Sequence, residues 1–157
     1  MKPRLFHLDS RGRARMVDVS RKPVSVREAR AEGRILLHPS TLRAIAQGTV
    51  PKGEVLAVAR LAGVMAAKRC GELIPLCHPL AVESVEVDFE LPRPQARDNR
   101  PLPLRITAVA RISAKTGVEM EALAAVAVAA LSVYDMCKAI DRTMSIEGIR
   151  LVKKSRR

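Results

Sequence analysis

The chain has 157 residues, of which 48% are hydrophobic and 28% are charged, and its formal net charge is +12. This balance excludes an intrinsically disordered chain and predicts one globular domain over residues 1–157, large enough to bury about two-thirds of its unfolded surface. With no tryptophan, one tyrosine and two phenylalanines, the chain offers few rings on which bases could stack, so a small polyanionic partner suits its charge better than a nucleic acid.

The first half of the chain mixes predicted strands and helices. Residues 16–19 favour a short strand, and residues 29–37 alternate small or apolar side chains with charged ones, as in a half-buried strand. Ser40 is the expected N-cap of a short helix that ends at Gly48, and residues 54–69 predict a second helix that is closed by Gly71. Two prolines within residues 73–80 predict a loop there.

The second half contains two strands, one long helix and a closing strand. Residues 84–91 and 105–113 have strand alternation, and the proline-rich stretch 92–101 predicts an exposed connection between them. The long helix is predicted from about 117 to 140 and the last strand over 146–152, whereas the basic ends, 1–14 and 154–157, are expected to be flexible. From residue 29 onward the order β-α-β-β-α-β indicates an α+β, ferredoxin-like split βαβ fold, an antiparallel sheet with helices packed on one face.

The long helix is apolar nearly all round, which predicts burial on more than one side. No residue from Ala122 to Val133 is charged. Together with the small-residue face of the second helix, this indicates that subunits complete each other's cores. We therefore expect a homo-oligomer with sites shared across an interface.

Charges stand at the two ends of this helix. Glu121 lies at its start, and Asp135 and Lys138 lie three residues apart near its end. Burying a charge without a partner is costly, so these groups predict an active site, although an i, i+3 ion pair on a solvated helix end is the structural alternative. Thr116 followed by Glu119 matches a capping box, which would give Glu119 a structural role.

The three cysteines, Cys70, Cys77 and Cys137, have an odd count and no C-x-x-C spacing. This pattern favours reduced thiols and disfavours a disulfide framework or a zinc site. Cys77 is next to His78, but adjacent side chains of an extended chain point to opposite faces, so we expect no metal site there. The first residues lack the apolar core of a secretory signal, and no apolar run is long enough to span a membrane, which predicts a cytoplasmic protein.

Five segments of the sequence resemble those of cyclic pyranopterin monophosphate synthase, an enzyme of molybdenum cofactor biosynthesis. The segments are MVDVS (16–20), REARAE (27–32), LIPLCHPL (73–80), KTGVEMEAL (115–123) and YDMCKA (134–139). The resemblance implies a ferredoxin-like fold and a homohexamer, a trimer of dimers with sites at the dimer interfaces. It also implies a lyase that converts a cyclised dihydro-GTP into a pterin fused to a pyran ring with a cyclic phosphate, releasing diphosphate.

The resemblance also implies the site residues. The catalytic positions are Asp135 and Lys138 as acid/base pair, Lys52 and His78. The substrate-binding positions are Leu76, Cys77, His78, Met120, Glu121, Glu119, Arg27, Lys68, Asp18, Lys115 and Lys154. No cofactor is required, although Mg²⁺ can accompany the triphosphate, and the partner is a small nucleotide triphosphate, with neither nucleic acid nor a membrane.

This chemistry explains why acids and cations are needed together. Proton transfers on the ring atoms require a general acid and base, and a lysine beside another cation can lose its proton near neutral pH. Cations also stabilise the charge that develops when the inner phosphate is attacked. Structural alternatives remain for Lys52 as a solvated lysine, for His78 bonded to backbone, and for Arg27 paired with Glu28 or Glu32.

Two other function classes compete with this interpretation. A small basic RNA-binding module on the same fold would need aromatic side chains on the open sheet face, and the strands offer only Phe89. A structural oligomer without chemistry would not need every presumed catalytic position to be filled, as it is here.

Overall fold

The computed structural model describes residues 8, 9 and 11–157. Within these residues the chain forms four strands and four helices. In chain order they are β1 (Ser25–Leu37), α1 (Pro39–Gln47), α2 (Val55–Lys68), α3 (Cys70–Leu73), β2 (Ser84–Glu90), β3 (Leu102–Ala114), α4 (Glu119–Cys137) and β4 (Ser145–Arg156).

The four strands form one antiparallel sheet in the order β2-β3-β1-β4. The chain forms two βαβ units, from β1 to β2 and from β3 to β4. The first unit crosses over β3 and the second crosses over β1, so a strand of each unit lies between the two strands of the other. This is the split βαβ arrangement, and it confirms the predicted α+β, ferredoxin-like fold.

One face of the sheet is apolar and is covered by α2 and α4, while the other face is charged. On β1 the side chains of Ala29, Ala31, Ile35 and Leu37 are buried. The charged residues that alternate with them lie on the opposite face, where ion pairs link neighbouring strands, as between Glu28 and Arg111 at 2.7 Å. The period of two in the sequence therefore separates the core from the open face.

Two glycines allow α4 to pack closely against α2 and against the sheet. A Cβ at Gly63 of α2 would lie 2.8 Å from the carbonyl oxygen of Ala125 in α4. A Cβ at Gly33 of β1 would lie 2.9 Å from Cγ1 of Val126. Glycine at these two positions thus sets the distance of α4 from α2 and from the sheet.

Among the described helices, only α4 has the length and hydropathy to cross a membrane. It packs instead against α2 and all four strands. Nine of its residues are buried in these contacts, which makes α4 the central helix of the core.

The predicted strand at 16–19 is wrong. These residues have no strand partner, and they lie over the loop after α3, where Nε2 of His78 is 2.8 Å from the carbonyl oxygen of Val17. A strand pattern of only four residues is weak, and a tertiary contact such as the one with His78 can override it. Only part of the N-terminal stretch 1–14 lies within the described residues, where Leu8 and Ala14 form an isolated bridge.

Two predicted helix caps are also wrong. His38, not Ser40, is the N-cap of α1, because Pro39 occupies the first turn and Nδ1 of His38 accepts from the backbone N–H of Ser40. The N-cap of α4 is Val118, without a side-chain cap, so Thr116 and Glu119 form no capping box.

The boundaries differ at two further places. Gly71 does not close a helix; it lies within α3, where a Cβ would be 2.9 Å from Cα of Pro79. The C-terminal stretch 154–157 was expected to be flexible, but β4 continues to Arg156 and pairs with β1, with Lys154 opposite Ala29. The hydrogen bonds of a sheet edge therefore order this basic segment.

Candidate active site

An acid held between two ammonium groups lies at the C-terminal end of α4. Asp135 is on the last turn of the helix, and its Oδ1 is 2.7 Å from Nζ of Lys138. Its Oδ2 is 2.7 Å from Nζ of Lys52, which also donates to the backbone oxygen of Asp135 at 3.0 Å. The i, i+3 spacing explains the first contact, whereas the loop between α1 and α2 brings Lys52 from a distant part of the sequence.

The two lysines determine the charge state of this acid. Hydrogen bonds from Lys138 and Lys52 lower the pKa of Asp135 from 3.8 to about 2. The same contact raises the pKa of Lys138. The expectation of a lysine that loses its proton easily is therefore wrong for Lys138 in this state, because its nearest charged neighbour is a carboxylate, not a cation.

A cavity of about 570 Å³ opens at the other end of α4. Three segments form it: the stretch before β1, the loop after α3 and the start of α4. The lining residues are Val17, Asp18, Val19, Lys22, Leu76, Cys77, His78, Leu80, Thr116, Gly117, Glu119 and Met120. The sequence-predicted positions Asp18, Leu76, Cys77, His78, Glu119 and Met120 are thus brought together, and the mixed apolar and polar lining suits a small ligand.

Two side chains hold the N-terminal stretch over this cavity. His78 contacts the carbonyl oxygen of Val17, and Nζ of Lys115 donates to the carbonyl oxygen of Ser20 at 2.6 Å. The structural alternative for His78, a bond to backbone, is therefore present, although its ring also lines the cavity. Asp18 accepts from the backbone N–H of Ser20, which lowers the pKa of its carboxyl.

A basic recess of about 260 Å³ adjoins the cavity and shares Gly117 and Glu119 with it. Arg27 and Lys154 line this recess, and Nζ of Lys154 is 3.3 Å from Oε1 of Glu119. The Arg27 guanidinium donates to the carbonyl oxygens of Ala114 and Lys115, so the alternative that it pairs with Glu28 or Glu32 is wrong.

Glu121 lies behind Cys77 and is 1% exposed. Its Oε1 is 3.7 Å from Sγ of Cys77, while its Oε2 has no hydrogen-bond partner among the described residues. Burial raises the pKa of this carboxyl. Glu121 is therefore a buried acid, and its side-chain hydrogen-bond partner among the described residues is the thiol of Cys77.

Lys68 does not join these groups. It lines a separate cavity of about 340 Å³, which is bounded by Gly71, Glu72 and residues 79–81. The loop 73–80 thus separates Lys68 from the side chains of the larger cavity.

The acid–lysine cluster and the cavity are not adjacent within one chain. Fourteen residues separate Glu121 from Asp135, which corresponds to about 21 Å along a straight α-helix. The two residues lie on nearly the same side of α4, as the periodicity predicted, but at opposite ends. One chain therefore presents two separate groups of predicted site residues.

Sequence reasoning missed several residues of this region. Val19 and Lys22 line the cavity, and no sequence signal indicated Lys22, which lies just outside the recognised segments. Cys70 was set aside because its spacing to Cys77 fits no metal motif. The turn after α3 nevertheless brings Cys70, Cys77 and Glu121 together, with one possible ligand atom of each within 4.8 Å of the others.

Comparisons with known proteins agree with the motifs. The model of the MoaC family matches residues 16–156. The cyclic pyranopterin monophosphate synthase 3 of Mycobacterium tuberculosis is 60% identical over 151 residues, with 96% of this chain and 81% of that protein covered.

Relatives from other bacterial groups are equally similar. The cyclic pyranopterin monophosphate synthase of Methylobacterium nodulans is 59% identical over 98% of this chain and 92% of its own length. That of Chloroflexus aggregans is 57% identical over 96% of this chain and 87% of its own length. The resemblance read from the sequence is confirmed: the chain belongs to the MoaC family.

Proposed function

We propose that this protein is a lyase that converts cyclised dihydro-GTP into cyclic pyranopterin monophosphate, with release of diphosphate, in molybdenum cofactor biosynthesis. Family membership supports the reaction, since the relatives carry this enzyme's name. The observation that carries the proposal is the Asp135 carboxylate held at 2.7 Å from two lysine ammonium groups. Such a cluster contains a proton acceptor and two proton donors in one place.

Each side chain of the cluster has its own role in proton transfer. Asp135 remains ionised at neutral pH because its pKa is about 2, and it accepts hydrogen bonds from whichever donor replaces a lysine. Lys138, whose pKa is raised, is the general acid, and Lys52 is the third catalytic group. A positioned acid or base contributes about 10²–10⁴-fold each to the rate of such a rearrangement.

The cavity and the adjoining recess bind different parts of the substrate. The apolar side chains of Leu76, Leu80 and Met120 suit the purine-derived ring, and Glu119 accepts from its N–H edge. Arg27 and Lys154 in the recess, with Lys115 and His78 nearby, suit the triphosphate. These cations stabilise the charge that forms as the ribose oxygen attacks the inner phosphorus and diphosphate departs. The proposed reaction requires no cofactor, and Mg²⁺ serves only as a counter-ion of the triphosphate.

A shared site follows from the distance between the two groups. A separation of about 21 Å along α4 is too long for one nucleotide to contact the Asp135 cluster and the cavity of the same chain at the reacting atoms. In a homo-oligomer, the cluster of one subunit completes the cavity of another.

Two exposed apolar surfaces support a hexamer built as a trimer of dimers, which needs two different interfaces. The helix surface consists of Val58, Leu61 and Met65 on α2 with Leu131 on α4, and Leu61 is 62% exposed. The β4 surface consists of Ile149, Leu151 and Val152. Leu61→Glu and Leu151→Glu should each disrupt one interface, so light scattering should find trimers for one variant and dimers for the other. A wild-type monomer would contradict the assembly.

An RNA-binding module is disfavoured by the position of Phe89, the one aromatic residue in the four strands that the structure describes. The Arg60 guanidinium covers the ring of Phe89 at 5.5 Å from the centroid. The open sheet face carries ion pairs, such as that of Arg150 with Glu32 at 2.6 Å. We therefore propose a small-molecule enzyme of the cytoplasm with neither nucleic acid nor a membrane as partner.

Turnover of the purified protein tests the function. Cyclised dihydro-GTP is supplied, and diphosphate release and pterin fluorescence after oxidation are measured. Asp135→Asn should retain substrate binding and lose most of its turnover, whereas the matched control Asp88→Asn, an exposed acid on β2, should behave like wild type. Wild-type protein that releases no diphosphate would refute the function, and a fully active Asp135→Asn would refute the role of the acid.

A further inference from the structure

Two thiols and a carboxylate meet in the core, beside the large cavity but apart from the Asp135 cluster. Cys70 is the first residue of α3, Cys77 follows in the loop, and Glu121 is on the first turn of α4. The ligand atoms of all three lie within 4.8 Å of one another. Cys70 and Glu121 are each 1% exposed, and Cys77 is half-buried.

One polar atom of this cluster is left unpaired in the core. Oε2 of Glu121 is buried without a hydrogen-bond partner in the part of the chain that the structure describes. Burial is the main cause that raises the pKa of the Cys70 thiol to about 12, and the neighbouring Glu121 and Cys77 raise it further. A bound cation would give the buried Oε2 of Glu121 a partner and would favour the ionised form of both thiols.

We propose that Cys70, Cys77 and Glu121 form a binding site for a thiophilic divalent cation of the Zn²⁺ class. Two sulfur ligands favour such an ion over Mg²⁺ or Ca²⁺, which take oxygen ligands. In a tetrahedral zinc site, Zn–S distances of about 2.3 Å and Zn–O distances of about 2.1 Å place neighbouring ligand atoms roughly 3.5–3.8 Å apart. The Cys77 Sγ to Glu121 Oε1 distance of 3.7 Å already matches this spacing, and the ligand atom of Cys70 lies within 4.8 Å of both.

Three protein ligands leave the fourth coordination position free. Cys77 lines the large cavity whereas Cys70 and Glu121 lie behind it, so the free position opens toward that cavity. His78 is not part of this group, since neither of its ring nitrogens is among the ligand atoms that lie within 4.8 Å of one another. The binding of two thiolates releases two protons, and the affinity therefore rises with pH. The site does not depend on the proposed enzymatic reaction.

Cobalt is the direct probe, because Co²⁺ replaces Zn²⁺ and its thiolate complexes absorb light. The full chain, without an affinity tag and kept reduced by a phosphine, is titrated with Co²⁺ in the absence of substrate. We expect one Co²⁺ per chain, a near-ultraviolet thiolate-to-cobalt band, visible bands of tetrahedral cobalt, and loss of all of them when Zn²⁺ is added.

The variants locate the ion. Cys70→Ala and Glu121→Gln should weaken Co²⁺ binding by more than about tenfold, whereas Cys137→Ala, which removes the buried thiol on the last turn of α4, should bind like wild type. Cys77→Ala, at a half-buried position, serves if Cys70→Ala does not fold. Wild-type protein without a charge-transfer band, or Cys70→Ala and Cys77→Ala with wild-type affinity, would overturn the proposal.

Discussion

Two inactive variants should restore each other's activity if the site is shared between subunits. Asp135→Asn disables the cluster at one end of α4, and His78→Ala disables the cavity at the other, about 21 Å away along the helix. In a mixed pair, one site is intact, because it combines the cluster of the His78→Ala subunit with the cavity of the Asp135→Asn subunit. The other site carries both defects. Recovery therefore requires that the two ends of α4 belong to different sites.

The expected recovery follows from random pairing. When equal amounts of the two variants exchange subunits, about half of the pairs are mixed, and each mixed pair has one intact site of two, so about a quarter of the wild-type rate should return. The variants are mixed under mild denaturant and refolded, native mass spectrometry verifies the mixed oligomers, and diphosphate release gives the rate.

A second mixture is the matched control. Asp135→Asn with Lys138→Met combines two defects in the same cluster, whose side chains are joined at 2.7 Å, so no intact cluster can form and no activity should return. If mixed oligomers of the first pair form and stay inactive, each site belongs to a single chain and the argument from distance fails.

The remaining predictions concern Glu121 and the helix contact. Burial raises the pKa of Glu121 in the folded state. The stability that the protonated side chain contributes is therefore fully present below the pKa of the unfolded state, and it is lost as the pH rises through the pKa of the folded state. The melting temperature of Glu121→Gln should therefore exceed that of wild type by a margin that grows from pH 4.5 to pH 8, measured with chelator at fixed protein concentration; a constant margin would contradict this. The resemblance implies a substrate-binding role for Glu121, which lies buried behind Cys77. Isothermal titration should therefore show weaker substrate binding for Glu121→Gln than for Lys115→Gln, and the reverse order would refute that role. Gly63→Ala should lower the melting temperature, since overpacking against the oxygen of Ala125 costs about 1–3 kcal/mol and exceeds the gain in helix propensity of about 1 kcal/mol; an equally stable variant would show that α2 can move away.

Local pattern was sufficient for much of the fold. The alternation of Ala29, Ala31, Ile35 and Leu37 predicted both the strand β1 and its buried face, and the apolar run of α4 predicted the central helix. Where only a few residues carried the signal, tertiary contacts decided the outcome. Residues 16–19 lie over the loop at His78 instead of joining the sheet, and Pro39 moved the start of α1 to His38.

The candidate site was predictable only in part. The i, i+3 spacing gave the contact of Asp135 with Lys138, and the apolar surroundings of Glu121 predicted its burial. Lys52 is 83 residues from Asp135 along the chain, so no local rule could pair them, and only the resemblance to a family indicated its role. Cys70 was missed because its nearness to Glu121 depends on how the loop after α3 folds back.

We propose that the nucleotide binds where the cavity of one subunit meets the Asp135 cluster of another. The most direct measurement is a crystal structure of the Asp135→Asn variant with cyclised dihydro-GTP. The ring system should contact Leu76, Leu80 and Met120 of one subunit, and Lys52 and Lys138 of a neighbouring subunit should lie within hydrogen-bond distance of the ribose or the inner phosphate. A nucleotide bound away from this cavity, or one that contacts the residues of a single chain only, would contradict the account.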